Sequence, residues 1–475
     1  MNRTERHVAQ GALAVLLLAA LPAMAAGAPQ VVVPEGSLDT PLTDRLRSLV
    51  GLVALGTIAW GLSTDRRRVP WRVVGWGVGL QLAFAWFILK TRAGVQVFDA
   101  AGSVVVALLG FTLNGAQFVF GNLVYDTVPV GTGIVGGGGF TALPGQVAQT
   151  GAAFAFYVLP TIIFFSALMT VLYHLGVMQV VVRGFASVMQ RTMRTSGAET
   201  LSAAGNIFVG QTEAPLLIKP FIEKMTMSEL MAVMTGGFAT VAGGVLAAYV
   251  GMLVVYFPDI AGHMLAASVM SAPAALVVAK LMMPESEEPA TSGSLEIIVE
   301  KRDVNVIDAA ARGASEGLYL ALNVGAMLLA FVALIYLCNG VLGWAGGLFG
   351  YDGLTIERIL GVLLAPLAWL MGVPWSEAPT VASLMGVKTV LNEFIAYLQL
   401  AGMLAGEPAL SPRSVIIATY ALSGFANFGS IAIQIGGIGG IAPSRRHDLS
   451  RIGLRAMIGG SIAAFMTATV AGMIL

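Results

Sequence analysis

Apolar segments of membrane-spanning length recur along this chain and predict its architecture. The first clear segment covers residues 46–62, and the second covers residues 73–89. Further apolar segments begin near Thr150, Leu230, Ile260, Gly317, Leu360, Val415 and Ile452. An α-helix needs about 20 predominantly apolar residues to cross the hydrocarbon core of a bilayer. We therefore expect an all-α polytopic membrane protein.

Three segments depart from this pattern. Residues 99–126 are apolar but interrupted by amide side chains, which is typical of a helix lying in the membrane interface. The glycine-rich segment 128–146 lacks the Gly-Lys-Ser/Thr sequence of a phosphate-binding loop, so we interpret it as a flexible linker. Residues 284–304 form a polar, charged loop that must leave the membrane.

The composition agrees with a lipid environment and excludes some partners. Hydrophobic residues make up 57% of the chain and charged residues only 11%, whereas about 25% of a typical soluble domain is charged. Basic and acidic residues balance at 26 each, so no basic face for nucleic acid is expected. Cys338 is the single cysteine, so a disulfide within the chain is impossible.

Charged residues around the apolar segments predict the orientation in the membrane. Two arginines precede a short apolar stretch, residues 11–21, and an Ala-Met-Ala sequence. This pattern indicates a signal peptide over residues 1–26, with an uncleaved anchor as the alternative, and in both cases the following chain begins in the periplasm. The basic loops at residues 66–72 and 445–451 should then be cytoplasmic. The sequence thus predicts a bacterial inner-membrane protein with both termini in the periplasm.

Two polar stretches suggest an internal repeat. Residues 183–221 and 375–404 have the length to enter and leave the membrane from one side, and each precedes a span rich in small residues. A re-entrant hairpin followed by a broken helix, occurring twice, is the inverted-repeat architecture of secondary transporters. We divide the chain into scaffold-side spans with the interfacial helix (46–150), a first half of the transport core (150–283), the polar loop (284–304) and a second half (305–475).

The first hairpin concentrates polar side chains in apolar sequence. These residues are Asn206, Gln211, Thr212 and Glu213. An ionised side chain at the bilayer centre costs roughly 2.5–3.5 kcal/mol, so such a residue normally faces a cavity and has a function. Pro215 disfavours helix at the preceding residue, which leaves backbone groups for a ligand or an ion. The alternative is that Glu213 forms a structural ion pair with Lys219.

The second hairpin contains the sequence Asn392-Glu393-Phe394. A carboxylate accepts hydrogen bonds from two neighbouring hydroxyl groups, and a ribose offers such a pair. The alternative is an ion pair between Glu393 and Lys388, although a spacing of five residues is imperfect for a helical pair.

The two broken helices each carry candidate ligands. In segment 238–244, adjacent glycines favour unwinding, and free carbonyls with the Thr240 hydroxyl are hard oxygen ligands suited to sodium. Close helix packing through small residues is the alternative. In the second broken helix, Asn427 and Ser430 are three residues apart and share a helix face. Phe425 and Phe428 offer a flat face to a base or serve as ordinary packing residues.

These motifs together resemble the concentrative nucleoside transporter family. The resemblance rests on residues 210–215, on Asn392-Glu393-Phe394 and on residues 424–427, in that order, and extends from about residue 46 to the C-terminus. It implies eight transmembrane helices, an interfacial helix and two re-entrant hairpins, assembled as a homotrimer in the lipid bilayer.

The resemblance also implies roles for individual residues. The nucleobase-binding residues would be Gln211, Thr212 and Glu213, with Val245 close to the base. The ribose-binding residues would be Glu393, Asn427 and Ser430, with Phe425 beside them. The sodium ligands would be Asn206, Val209, Thr240 and Val241, largely through backbone oxygens. Two departures from the family pattern are Gly429, where a serine is frequent, and Thr240, which also replaces a frequent serine.

The sequence therefore predicts a transporter that imports nucleosides by sodium symport, with no catalytic residues and no cofactor besides the coupling ion. A proton carried by Glu213 or Glu393 is the alternative to sodium. An intramembrane enzyme using the two glutamates as an acid–base pair lacks a nucleophile motif or a metal set. A ligand-binding receptor lacks a signalling domain.

Overall fold

The computed structural model describes residues 31–34, 38, 40–125, 127–132, 141–149, 154–293, 303–351, 353–406 and 410–475. The predicted signal peptide or anchor at residues 1–26 lies outside the described residues. Helices make up most of the described chain, as the apolar pattern predicts.

Eight α-helices form the first half of the described chain. They are α1 (Leu42–Gly61), α2 (Trp71–Lys90), α3 (Arg92–Phe120), α4 (Leu159–His174), α5 (Val177–Met193), α6 (Gly197–Asn206), α7 (Met227–Ala239) and α8 (Gly243–Leu253). Shorter turns are a 3-10 turn after α3 (Gly121–Val124), a π turn before α4 (Phe154–Val158) and a 3-10 segment after α6 (Ala214–Lys224).

Another eight α-helices form the second half. They are α9 (Ile260–Met282), α10 (Val306–Leu348), α11 (Ile356–Met371), α12 (Ala378–Val390), α13 (Glu393–Ala405), α14 (Pro412–Leu422), α15 (Phe428–Ile441) and α16 (Arg446–Ile474). A 3-10 turn, Pro443–Arg445, joins α15 to α16.

Seven helical segments of the described chain are long and apolar enough to cross a membrane. They are Trp71–Lys90, Arg92–Val124, Ala155–His174, Met227–Leu253, Ile260–Met282, Val306–Leu348 and Pro443–Ile474. The polytopic all-α prediction is thereby confirmed. The largest error in a predicted start concerns α10, which begins at Val306 rather than near Gly317. Asn305 caps this helix by accepting a hydrogen bond of 2.9 Å from the backbone N–H of Asp308.

The segment predicted to lie in the interface forms α3, which begins at Arg92 and so is longer than expected. The Thr91 hydroxyl caps this helix by accepting a hydrogen bond of 3.0 Å from the N–H of Gly94. Its length and composition suit a membrane span. Its placement in the interface therefore stays a prediction.

The flexible-linker interpretation of residues 128–146 is wrong for the two parts that the structure describes. Thr127–Thr132 (β1) and Thr141–Gln149 (β2) pair as antiparallel strands. Their threonines and valines favour extended backbone, which a count of glycines alone does not reveal. The glycines at residues 136–139 lie outside the described residues.

Both predicted broken helices are confirmed. The first stops at Ala239, passes through Thr240 in extended conformation (φ −117°, ψ 164°) and resumes at Gly243. The second stops at Leu422 and resumes at Phe428. Each interruption leaves helix-terminal backbone groups inside the protein.

The two breaks contact each other through Gly424. This residue has φ +143°, which side chains disfavour. A Cβ atom there would also lie 2.8 Å from the Phe238 carbonyl oxygen and 2.9 Å from that of Ala239. Only glycine therefore lets the second break pack against the end of α7.

The second hairpin is confirmed as α12 and α13, joined by a turn at residues 391–392. The first hairpin begins at Gly197 rather than Arg183, because Arg183 lies within the separate helix α5. The buried residues of α5 recur at helical spacing and are Met178, Val182, Ala186, Met189 and Met193. This amphipathic helix precedes the hairpin and was wrongly assigned to it.

Contacts at one face of the protein join the turn before the first basic loop to the end of α9, and the second basic loop to the base of the first hairpin. The N–H of Thr64 donates to the carbonyl of Met282 at 2.9 Å. The guanidinium of Arg445 donates to the carbonyl of Met225 at 2.6 Å, just after the 3-10 segment. We call this the basic face.

The second hairpin is fixed at the opposite face. The N–H of Ser411 donates to the Glu377 carboxylate at 3.0 Å, which closes the base of the hairpin. Arg413 is buried there and donates to the carbonyls of Gly372 (3.1 Å) and Gly472 (2.7 Å). The two hairpins thus enter from opposite faces, as an inverted repeat requires.

Replacement of Arg413 by alanine should destabilise the protein. The change leaves the helix-terminal carbonyls of Gly372 and Gly472 without this donor, and a hydrogen bond to a charged group contributes about 1.5–3 kcal/mol. We expect a melting temperature several degrees below wild type for purified protein in detergent. Arg451→Ala, at an exposed position, is the matched control and should melt like wild type. Equal melting of both variants would contradict the anchoring role of Arg413.

Candidate functional site

The turn of the first hairpin brings Glu213 back over its own backbone. The N–H of Glu213 donates to the carbonyl of Gly210 at 3.2 Å. A Cβ atom at residue 210 would overlap the Glu213 carboxylate. Glycine at this position therefore allows the carboxylate to fold over the turn.

A chain of amide hydrogen bonds links this turn to the second half of the protein. The amide nitrogen of Gln211 donates to the Ser430 hydroxyl at 3.2 Å. Its amide oxygen accepts from the side chain of Gln434 at 3.0 Å, and Gln434 also donates to the carbonyl of Met234 at 3.1 Å. The structure thus brings together Gln211 and Ser430, two of the predicted site residues.

The Glu393 carboxylate lies in a buried site between two donors. Its Oε1 accepts a hydrogen bond from the Tyr249 hydroxyl at 3.0 Å, and its Oε2 accepts one from the amide of Asn427 at 3.0 Å. Lys388 instead donates to the carbonyl of Ala421 at 2.8 Å. The alternative of a simple Glu393–Lys388 ion pair therefore does not describe the arrangement.

Two of the candidate sodium ligands, Asn206 and Thr240, lie beside the same turn of α7. Asn206 is buried, and neither its amide oxygen nor its amide nitrogen has a hydrogen-bond partner. It contacts α7 at Gly236, whose carbonyl accepts a hydrogen bond of 2.9 Å from the Thr240 hydroxyl. A buried amide oxygen beside an interrupted helix suits a small cation that prefers oxygen ligands.

A cavity of about 690 Å³ reaches part of the site. Four predicted residues line it, namely Val209, Thr212, Glu213 and Val245. It extends to Asp303, Arg312 and Glu316 beside the start of α10. Gln211, Glu393, Asn427 and Ser430 are buried outside this lining, and Phe425 is half-buried. Phe428 is 52% exposed, so it makes a poor candidate for stacking in this conformation.

Two residues of the site are missing from the sequence predictions. Tyr249 follows Val245 by four positions on α8, and Gln434 follows Ser430 by four positions on α15. Residues four apart share a helix face, so this spacing was a usable signal. The contacts of Tyr249 with Glu393 and of Gln434 with Gln211 place both side chains beside the predicted set.

Comparison with known proteins decides the family. Three family models match the chain, "Na+ dependent nucleoside transporter N-terminus" at residues 50–123, "Nucleoside recognition" at residues 155–255 and "Na+ dependent nucleoside transporter C-terminus" at residues 263–472. An uncharacterized transporter of Haemophilus influenzae is 45% identical over 433 residues, covering 90% of this chain and 98% of that protein. The chain belongs to the concentrative nucleoside transporter family. It is therefore a multi-pass membrane transporter and not an enzyme.

Two further relatives of this transporter agree. Sodium/nucleoside cotransporter 1 of Rattus norvegicus is 41% identical over 452 residues, which cover 92% of this chain but 65% of the rat protein. The solved structure of CNTnw in an inward-facing substrate-bound state is 44% identical and has a TM-score of 0.79. The match covers 91% of this chain and 98% of that one.

Tyr249→Phe should weaken nucleoside transport without disturbing the fold. Tyr249 stacks on Tyr397 with ring centroids 4.3 Å apart, and phenylalanine keeps this packing. The variant loses only the hydroxyl that donates to Glu393, and a hydrogen bond to a charged group contributes about 1.5–3 kcal/mol. We expect KM for uridine uptake to rise about tenfold or more, with an unchanged melting temperature.

Tyr397→Phe is the matched control. Its hydroxyl donates to the carbonyl of Thr419 at 2.6 Å rather than to Glu393. This variant should keep the wild-type KM. A wild-type KM in Tyr249→Phe would show that the hydroxyl does not position the carboxylate.

Proposed function

We propose that this protein imports nucleosides by sodium symport across the bacterial inner membrane. The observation that carries the proposal is that one hairpin turn bears both Asn206, with its unpartnered amide, and the polar triplet 211–213. A cation held at Asn206 would order the turn that presents Gln211, Thr212 and Glu213. Binding of either ligand would then favour binding of the other.

The substrate half of the proposal follows from hydrogen-bonding capacity. A carboxylate has about four acceptor positions, and Tyr249 and Asn427 use one on each oxygen of Glu393. The remaining positions suit the vicinal hydroxyls of a ribose, with Ser430 and Phe425 beside them. The nucleobase would meet Gln211, Thr212 and Glu213 next to Val245.

The ion half rests on the oxygen-rich break in the first broken helix. Asn206 and Thr240 would hold sodium together with backbone oxygens at Val209 and Val241. The names of the matching family models and of the rat relative support sodium. A proton is the second candidate, because Glu213 lines the cavity and so lies where a proton can reach it.

The orientation and assembly are also proposals. The two basic loops would face the cytoplasm, which places the termini in the periplasm. The cavity, which reaches the charged residues near the start of α10, would then open inward, and alternating access would expose the same residues outward. The homotrimer that the family resemblance implies would use apolar helix faces left exposed by a single chain, such as that of α10, of which 17% of the most apolar stretch is buried.

Uptake of labelled uridine and adenosine into proteoliposomes tests the coupling. We expect accumulation with an imposed sodium gradient and none with a proton gradient alone. Asn206→Leu, which removes the amide, should raise the sodium concentration for half-maximal uptake at least tenfold. Accumulation driven only by protons would overturn sodium coupling, and absence of uptake by folded protein would overturn nucleoside transport.

Glu393→Gln tests the ribose contact separately from the ion. Loss of the negative charge weakens the hydrogen bonds that the side chain accepts, at a cost of about 1.5–3 kcal/mol. We expect kcat/KM for uridine to fall roughly 10- to 150-fold at saturating sodium. Glu377→Gln, at the base of the second hairpin, changes the same group away from the site and should retain most uptake. Unchanged uptake by Glu393→Gln contradicts the proposal.

A further inference from the structure

The two repeats build the same kind of junction. In the first repeat, the end of α6 contacts the last turn of α7 through Asn206 and Gly236. In the second repeat, the end of α12 contacts the last turn of α14 through Lys388 and Ala421. In both cases the first arm of a hairpin ends against the first half of a broken helix.

Such a junction attracts positive charge. The last four carbonyl groups of a helix have no partner within it, and the aligned peptide dipoles give that end a partial negative charge. Two helix ends converge at each junction, inside the protein and away from water. A cation there can bind the terminal carbonyl oxygens, which accept no hydrogen bond from a backbone N–H of their own helix.

The second junction already contains a cation from the chain itself. The Lys388 side chain is fully buried, with 0% of its surface exposed. Its ammonium donates to the carbonyl of Ala421 at 2.8 Å and lies 5.7 Å from the centre of the Phe465 ring. Glu393 is the acidic group that interacts with it electrostatically. The carbonyl, the ring face and the carboxylate all favour positive charge.

The first junction carries the neutral Asn206 at the end of α6, as Lys388 lies in the last turn of α12. Its amide oxygen and nitrogen have no partner, although the residue is only 1% exposed. The nearby Thr240 hydroxyl is engaged with the carbonyl of Gly236. One repeat thus has a buried amine that donates to a carbonyl at its junction, whereas the other has an unsatisfied oxygen ligand.

We propose that Lys388 is a tethered cation that occupies, in the second repeat, the counterpart of the exchangeable-cation site of the first. The transporter then needs one free cation per nucleoside, because the second junction is permanently filled. This inference rests on the proposed cation site at Asn206. In this inference Lys388 binds the carbonyl at the second helix break, rather than serving as the salt-bridge partner of Glu393.

Removal of the amine tests the inference. Lys388→Ser empties the second junction and leaves a hydroxyl, the Ala421 carbonyl and the Glu393 carboxylate as oxygen ligands for a free ion. We expect the melting temperature of the purified variant to depend on sodium with a Hill coefficient of about 2, compared with about 1 for wild type. In proteoliposomes, the ratio of labelled sodium to uridine taken up should rise from about 1 to about 2.

Two controls complete the design. Lys388→Arg keeps the fixed charge and should retain a Hill coefficient of about 1, as should Lys224→Ser at an exposed site. If Lys388→Ser folds only in sodium chloride and not in choline chloride, the result supports the inference. Single-site sodium dependence in Lys388→Ser, or aggregation at every sodium concentration, would overturn it. Failure of wild type to respond to sodium at all would instead refute the proposed sodium site.

Discussion

The bilayer core offers no water to backbone groups, so a helix can stop inside it only where protein encloses the stop. This constraint explains the interior of the transporter. Its helices stop at the two hairpin turns and at the two breaks. Gly424 brings the second break against the carbonyls of Phe238 and Ala239 at the first break. Two largely buried spans, α9 and α16, with 94% and 83% of their most apolar stretches buried, help to enclose these interruptions.

The interrupted backbone then determines which side chains are useful. The C-terminal end of a helix offers carbonyl oxygens, which favour cations. The N-terminal end offers N–H groups, and at the start of α15 Asn427 accepts a hydrogen bond from the N–H of Ser430 at 2.8 Å. Asn427 also donates its amide nitrogen to Glu393. One amide therefore serves the local fold and the proposed ribose site at the same time. Substitution at such a position changes both properties together.

The sequence predicted the parts of the fold that follow from apolar length and from polar residues within apolar runs. The second hairpin and both helix breaks are of this kind. The predicted start of the first hairpin was wrong, because α5 is amphipathic and its exposed Arg183 resembles the polar residues expected within a hairpin. The sequence did not predict the strands β1 and β2, because the many glycines of this segment favoured a flexible linker over extended backbone. The partners of Glu393 depend on long-range packing, and only helical spacing hinted at Tyr249.

The connection between the first and last helices has a consequence for biosynthesis. The guanidinium of Arg45 donates to the carbonyl of Leu475 at 2.9 Å, across 430 residues of sequence. At about 5–20 residues per second, a ribosome needs roughly 20–90 s to make the intervening chain. During that interval α1 is in the membrane without its final neighbours. The contact between Arg45 and the end of α16 can therefore form only after all of the intervening residues have been made.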